Sequence, residues 1–491
     1  MAAGAPARLA FAVSLCDTAA RTMSLAELLH VSALEQARLV RRREVRSGEL
    51  VGLYLERIAA IDPRVSAFVT VFEGRARRAA QAADRALDRA ARRGETDALP
   101  PLIGVPIGVK DLNFVRGART RMGSRGVLPM WSPIDDVTVS RLRGAGSIVL
   151  GKLATSELGA LPVTEPDTHP PTRNPWDLSR SAGGSSGGSG AAVAAGMLPW
   201  AQGSDGAGSI RIPSAFCGLV GIKASRGRIA NAFGRDDRKL LYTCGPLARS
   251  LVDATALLDV LAGLSFGRPH WLAPPPCPYS QVLDRPAPRL RIRLTVDSPI
   301  GRSDPEWAEA ARAVGRGLAG LGHHVEEGAM AEGSVDDFLP VYKHQLASVP
   351  GVRAGRLQPA TRWLVEGGRQ TSPALAHAAA DALRERILRW IGDAELVLTP
   401  AVIGPPPKIG AWGGDDGEAI FRAAAVYGAF TAPFNVTGQP ALALPVARSR
   451  EGLPIGIQLA GPLGREDLML QVAREVEALF PASPKVPVPG F

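Results

Sequence analysis

The stretch from Gly183 to Gly218, GGSSGGSGAAVAAGMLPWAQGSDGAGSIRIPSAFCG, constrains the fold more than any other part of the chain. Two Gly/Ser-rich loops bracket an Ala-rich segment, of which Gly190–Gly196 reads as helical. Glycine admits backbone conformations closed to other residues and lets a second chain segment approach closely. A hydroxyl set among glycines is also the local chemistry of a nucleophile ringed by backbone N–H groups. A Gly/Ser run can equally be a linker. A linker, however, would not lead straight into AAVAAG and a second Gly-rich loop that ends in an apolar turn. Such a pair of loops can cleave an acyl compound without histidine or metal, provided that a base comes from elsewhere in the chain.

Around this segment helices and strands alternate. Apolar residues recur at helical spacing from Leu34 to Ile61, and Ala67–Phe72 reads as a strand. Helices are expected at Glu73–Arg93, Asp136–Arg143, Leu251–Leu264, Pro305–Leu321, Ala374–Ile391 and Glu466–Leu479. Strands are expected at Leu102–Val109, Ser147–Leu150, Leu290–Val296, His324–Glu327, Leu396–Leu398, Ala441–Val446 and Ile455–Leu459. This alternation argues an α/β fold with a largely covered sheet. Asn174–Ala182 reads as a loop, and the Pro-rich Pro269–Pro278 as a surface excursion within one large domain. Residues 1–33 read as an N-terminal extension, in which the short apolar run Leu9–Leu15 before Cys16 makes a poor secretory signal; Met23 is an alternative start.

Bulk composition removes several classes. The net charge is +10, but arginine is spread along the chain and lacks the interleaved aromatics of single-strand binders, so no nucleic acid is expected. No apolar run approaches the roughly 20 residues of a membrane helix. Cys16, Cys217, Cys244 and Cys277 form neither a C-x-x-C pair nor a disulfide framework. The adjacent His323 and His324 enter a strand and suit surface or core better than a metal. The expectation is a cytoplasmic protein with no metal.

Two short patterns mislead. Gly146–Lys152, GSIVLGK, mimics a phosphate-binding loop, but its interior suits a strand and Leu153 stands where a magnesium-binding hydroxyl is needed. Gly184–Gly188 fits the nucleophile elbow about Ser186, but an elbow requires a preceding strand. The informative residue is Lys110, at the end of the apolar GVPIGVKD (Gly104–Asp111) and one of only seven lysines. A buried lysine can be neutral near pH 7 and act as a base, whereas arginine stays protonated. Taken alone, Lys110 also fits a core-edge lysine that snorkels to solvent.

Together, GVPIGVKD, GGSSGGSGAAVAAG and GSDGAGSIRIPSAFCG resemble the amidase signature family of Ser–Ser–Lys hydrolases. Gly151-Lys152 with Glu157, Asn174-Pro175-Trp176-Asp177, NVTGQPALALPV and GLPIGIQLAG add to the resemblance, which runs from about Leu34 to Leu479. It implies one α/β domain, residues 34–485, with a mixed central sheet covered by helices on both faces, and no cofactor. By the same resemblance Ser209 is the nucleophile, Ser185 the bridging serine after a cis bond at Gly184–Ser185, and Lys110 the general base. The backbone N–H groups of Gly206, Ala207, Gly208 and Ser209 are the implied oxyanion hole, with Ser186, Asp205 and Arg211 in support. An ion pair or hydrogen-bond network of Asp205 and Arg211 is expected to hold the loop, and Cys217 to be a small buried residue.

Two departures stand out. Ala207-Gly208 replaces the usual Gly-Gly, so Ala207 is expected in an ordinary conformation. Lys223-Ala224-Ser225 replaces the commoner Lys-Pro-Thr. Within the family the chain is most similar to the 6-aminohexanoate cyclic-dimer hydrolase branch, which leaves the amide unnamed. Residues from about Ser265 to Gly417 are expected to shape the acyl pocket, with Val341-Tyr342-Lys343-His344-Gln345 and the Trp363 helix as candidate walls. The expected partner is a small-molecule amide; a homodimer stays open. A glutamine amidotransferase subunit acting with a partner is a competing reading, against which Ile212 stands where that subunit has Gln. A non-catalytic protein on the same scaffold is another.

Overall fold

The computed structural model describes residues 27–230, 241–263 and 272–481. The apolar run at Leu9–Leu15, Met23 and part of the Pro-rich segment lie outside them. Eleven strands form one mixed sheet: β1 (Phe68–Val71), β2 (Pro106–Lys110), β3 (Ile148–Leu153), β4 (Trp200–Asp205), β5 (Val220–Lys223), β6 (Thr243–Ala248), β7 (Arg291–Leu294), β8 (His324–Glu327), β9 (Leu396–Pro400), β10 (Ala441–Arg448) and β11 (Pro454–Ala460). Their spatial order is β1-β3-β2-β4-β6-β5-β10-β11-β9-β7-β8. β2 runs parallel to both β3 and β4, and β7 to both β8 and β9; the other pairings are antiparallel.

Both faces of the sheet are covered, and alternation along β3 shows how. Val149 packs into a core with the helices Leu251–Leu261, Pro305–Gly320 and Glu466–Leu479. Its neighbours Ile148 and Leu150 pack into a second core with helices Ser47–Val65, Glu73–Arg93 and Gly187–Ala194. Successive strand residues point to opposite faces, so a strand buried on both sides reads as a continuous apolar run. The expected α/β domain with a two-sided cover is the observed one.

Local differences have physical reasons. The helical pattern from Leu34 is two helices, Ala33–Arg42 and Ser47–Val65, broken where Arg43 adopts a left-handed conformation (φ 61°). The second helix runs through Pro63 instead of stopping before it. Leu28 and Leu29, ahead of the expected domain start, are buried in the core. Asn174–Ala182 is not a loop: Arg173–Asn174 and Asp177–Ser181 pair as a small antiparallel hairpin. Asn174 Nδ2 donates to the Phe216 carbonyl and Trp176 Nε1 to the Cys217 carbonyl, both at 2.9 Å. The hairpin therefore clamps the far end of the second Gly/Ser segment. His323 is buried, its Nδ1 accepting from the Leu290 N–H at 3.2 Å and its Nε2 2.7 Å from Glu475.

Candidate active site

Lys110 is the last residue of β2, and Asp205 the last of β4, so the parallel pairing of the two strands delivers both to one sheet edge. Lys110 is wholly buried. Its backbone N–H donates to Gln202 Oε1 at 3.1 Å. Its Nζ lies 2.7 Å from Ser185 Oγ, 3.0 Å from Ser204 Oγ and 3.3 Å from the Ser204 carbonyl oxygen. Burial drives the Lys110 ammonium down to about 7, against the opposing pull of the Asp205 carboxylate. A lysine so held is a competent proton acceptor near neutral pH. The pattern Gly146–Lys152 is mostly strand β3, and Lys152 is spent on a buried ion pair with Asp111 at 2.7 Å.

Ser185 stands at the start of helix α1 (Gly187–Ala194), after a cis peptide bond from Gly184. The helix begins close to β3 because Gly188 has no side chain: a Cβ there would lie 2.3 Å from Ala154 N. Thr164 Oγ1 ties the turn together, donating to the Gly183 carbonyl at 2.9 Å and accepting from the Gly187 N–H at 3.1 Å. Ser186 binds across to β4, donating to the Ser204 carbonyl at 3.1 Å and accepting from the Ser204 N–H at 3.2 Å. Its hydroxyl is committed to holding the two loops together.

The second loop is organised by Asp205. Both of its carboxylate oxygens are buried, and they accept from the N–H groups of Gly208 at 2.7 Å and Ile210 at 3.1 Å. Arg211, at the start of helix α2 (Arg211–Cys217), donates to Asp205 through Nε at 2.9 Å and Nη2 at 2.8 Å. Arg211 also reaches the Thr431 carbonyl, Gln458 Oε1 and Asn435 Oδ1 at 2.9, 2.6 and 2.6 Å. Burial would raise the Asp205 carboxyl, but the Arg211 guanidinium outweighs it and keeps the group ionised. This is the expected pair, extended by Asn435 and Gln458 from the C-terminal motifs.

The expected donor set needs one correction. The Gly208 N–H is already given to Asp205, so it is not free for an oxyanion. Among the described residues no hydrogen bond engages the other three expected donors, the N–H groups of Gly206, Ala207 and Ser209. Gly208 is indispensable for another reason: its φ is 127°, and a Cβ would lie 2.2 Å from Thr431 Oγ1. Ala207 has an ordinary φ, as the Ala-for-Gly exchange requires. Ser209 is partly exposed in the cleft, whereas Ser185 is buried. Cys217 is buried with its Sγ 3.5 Å from the Ala182 carbonyl, and burial pushes its thiol well up, which makes it inert. Lys223 is buried and donates to the Ala224 carbonyl at 3.0 Å. Of the pocket walls expected between Val341 and Gln345, Tyr342 and Gln345 line the cleft. Lys343 instead lies 3.6 Å above the Trp363 ring, and Trp363 stands behind Phe421.

Lys110, Ser185, Ser209 and the N–H groups of the second loop thus gather at the carboxyl ends of β2 and β4. The chain belongs to the amidase family, whose model matches residues 49–470, and it is an enzyme acting on carbon–nitrogen amide bonds. It is 36% identical over 481 residues to a 6-aminohexanoate-cyclic-dimer hydrolase from a Pseudomonas species, covering 91% of this chain and 94% of that one. It is 35% identical over 449 residues to a putative amidase from a Synechocystis species, covering 91% and 88%. The solved structure of a 6-aminohexanoate cyclic dimer hydrolase superposes with a TM-score of 0.84 at 33% identity, covering 93% of this chain and 99% of that one. Among the described residues no helix is long and apolar enough to cross a membrane.

Proposed function

We propose that the chain hydrolyses a carboxylic amide through an acyl-enzyme on Ser209, with Ser185 as proton relay and Lys110 as base. The observation that carries this reading is the 2.7 Å contact between Lys110 Nζ and Ser185 Oγ inside a fully buried setting. Neutral Lys110 takes the Ser185 proton as Ser185 takes that of Ser209. Ser209 Oγ bonds to the carbonyl carbon, and the oxygen gains negative charge beside the Gly206, Ala207 and Ser209 N–H groups. As the C–N bond breaks, the proton returns through Ser185 to the nitrogen, and the amine or ammonia departs. Water then attacks the ester by the same relay, releasing the acid and restoring Ser209.

The amidotransferase alternative gains nothing from the cleft. Glutamine brings an ammonium and a carboxylate, and among the described residues that line the larger cavity beside Ser209 there is no lysine or arginine. The test is labelling with a fluorophosphonate serine probe together with turnover of a panel of amides. Wild type should label and turn over, and Ser209→Ala should do neither. Undiminished labelling of Ser209→Ala would remove Ser209 as nucleophile.

A further inference from the structure

The segment that follows Lys110 carries a surface that amide hydrolysis does not use. Residues 112–134, LNFVRGARTRMGSRGVLPMWSPI, hold four arginines and no aspartate or glutamate. Arg119–Thr120 and Met130–Trp131 pair as a short antiparallel ribbon, with Arg119 directly opposite Trp131 and Thr120 opposite Met130. The Gly117 N–H donates to the Ser132 carbonyl at 2.7 Å and the Ser132 N–H to the Ala118 carbonyl at 3.1 Å, which lengthens the ribbon. Side chains alternate across such a pair. Ala118, Thr120 and Ser132 are buried, and Met130 packs against the core that holds Met122, Val127 and Leu357. Arg119 and Trp131 are left together on the outer face, both exposed.

That outer surface is apolar as well as basic. Leu128, Trp131 and Ile134 are 62%, 61% and 67% exposed. They are three of the eight large apolar side chains exposed among the described residues, and they fall within one short stretch. Single exposed apolar residues need no explanation, whereas a cluster does. Arg116, Arg119, Arg121 and Arg125 are exposed around them. Among the described residues no carboxylate pairs with any of these four side chains. Arg125 donates to the Asp167 backbone carbonyl, and the adjacent Asp135 is taken by the Arg116 backbone N–H at 2.7 Å and by Arg143 at 3.2 Å. The positive charge continues onto helix Glu73–Arg93, whose Arg75 donates to the Arg116 and Gly117 carbonyls. Arg75, Arg78, Arg85, Arg89 and Arg92 follow at helical spacing along its exposed face. The acids of that helix are spent, Glu73 on Arg77, and Asp84 and Asp88 on Arg46.

Arginine matches phosphate oxygens with its planar fork, and an indole beside it suits the level of lipid headgroups. Leucine and isoleucine gain nothing from a nucleic-acid backbone, but they gain from entering an acyl layer. A second copy is a poor occupant. A two-fold contact sets the same patch against itself, so Arg116 and Arg119 would meet like charge with no acid in the segment to offset it. Attachment of this kind lies on a bilayer and needs no apolar span.

We infer that the ribbon over residues 116–134 is a peripheral attachment site for a surface of anionic phospholipid. Trp131 and Ile134 enter the interface, and Arg116 and Arg119 hold the headgroup phosphates.

The test is cosedimentation of the full chain with vesicles of equal parts phosphatidylcholine and phosphatidylglycerol, against phosphatidylcholine alone. Wild type should bind the mixed vesicles only, and more weakly as salt rises. Each arginine near an anionic surface strengthens binding about fivefold, so Arg116→Glu with Arg119→Glu should weaken it by about 25-fold or more. Trp131→Ser with Ile134→Ser should weaken it by about tenfold or more. Arg384→Glu with Arg389→Glu, on helix Pro373–Ile391, makes the same change in net charge and should leave binding within about threefold. Brominated acyl chains should quench wild-type tryptophan fluorescence and quench Trp131→Phe, which keeps a ring at that position, distinctly less. Absence of binding to the mixed vesicles overturns the inference. So does binding unchanged in either folded ribbon variant, binding weakened equally by the Arg384 and Arg389 pair, or quenching unchanged in Trp131→Phe. A wild-type dimer that Trp131→Ser with Ile134→Ser dissolves, without vesicle binding, overturns it in favour of a second copy. Binding of duplex DNA without vesicle binding overturns it in favour of nucleic acid.

Discussion

Replacing Asp205 by Asn separates what this residue does for the fold from what it does for the base. The carboxylate is buried and accepts from Gly208 N–H, Ile210 N–H and two Arg211 nitrogens within 2.7–3.1 Å. The amide has one acceptor oxygen, so its NH2 group must face an N–H of the loop or of Arg211. The Arg211 charge also loses its counter-ion in the interior. Breaking a buried pair from one side costs about 3–5 kcal/mol. With an unfolding entropy of roughly 2.1 cal/mol/K per residue, a chain of 491 residues loses about 1 kcal/mol per degree, so Tm should fall by about 3–5 °C. The second effect is on Lys110. The Asp205 charge favours the ammonium form, so its removal lowers the Lys110 pKa further and moves the acid limb of kcat/KM to lower pH. Differential scanning calorimetry and a pH–rate series on one amide read the two effects independently. A Tm within about 1 °C of wild type would refute the stability reasoning. An acid limb that stays put or moves up would refute the electrostatic coupling.

The wild-type enzyme should lose activity as pH falls below about 7, the value to which Lys110 is lowered, because its protonated form cannot accept the Ser185 proton. At pH 5 the loss should be about a hundredfold by steady-state assay, and a flat profile would exclude a lysine base. Lys110→Arg should be as inactive as Lys110→Ala, by about 10²–10⁴ in kcat, since guanidinium stays protonated. Gly208→Ala should cost about 1–3 kcal/mol from its backbone conformation alone, with the Thr431 clash added, measured by urea unfolding. Cys217→Ala should keep kcat within about twofold despite some loss of stability, because the thiol is buried and away from the relay.

The sequence made much of this legible where periodicity and chemistry agreed. Glu73–Arg93, His324–Glu327 and Glu466–Leu479 carry clear patterns and fold as read. Strands β4, β5 and β6 carried weaker signals. They are buried throughout, which removes alternation, and Gly203, Gly221, Gly245 and Pro246 interrupt them. Residue type drew attention to Lys110 and to the Gly/Ser loops, the family resemblance singled out Ser185 and Ser209 within them, and the fold brings Lys110 and Ser185 into contact. The commitment of the Gly208 N–H to Asp205 was not legible, because it depends on how the Asp205 side chain turns in the folded loop, not on any local pattern. Gln345 and Tyr342 stood in a candidate segment, but only tertiary packing separates them from Lys343, which faces Trp363.

The division of the cleft between different lengths of chain has a consequence for change over time. Lys110, Ser185 and Ser209 fall within one hundred-residue span on one half of the sheet. The apolar walls come instead mainly from residues 298–300, 330–342, 383–387 and 421–433. Substitutions in residues 330–341 and 383–387 alter what enters without touching the relay, whereas 421–433 includes Thr431, which bonds to Arg211 and Ala207 and so holds the Ser209 loop. Recognition can therefore drift while turnover chemistry stays fixed, and an exchange of the 330–342 segment between relatives is a direct way to move specificity without rebuilding a catalyst.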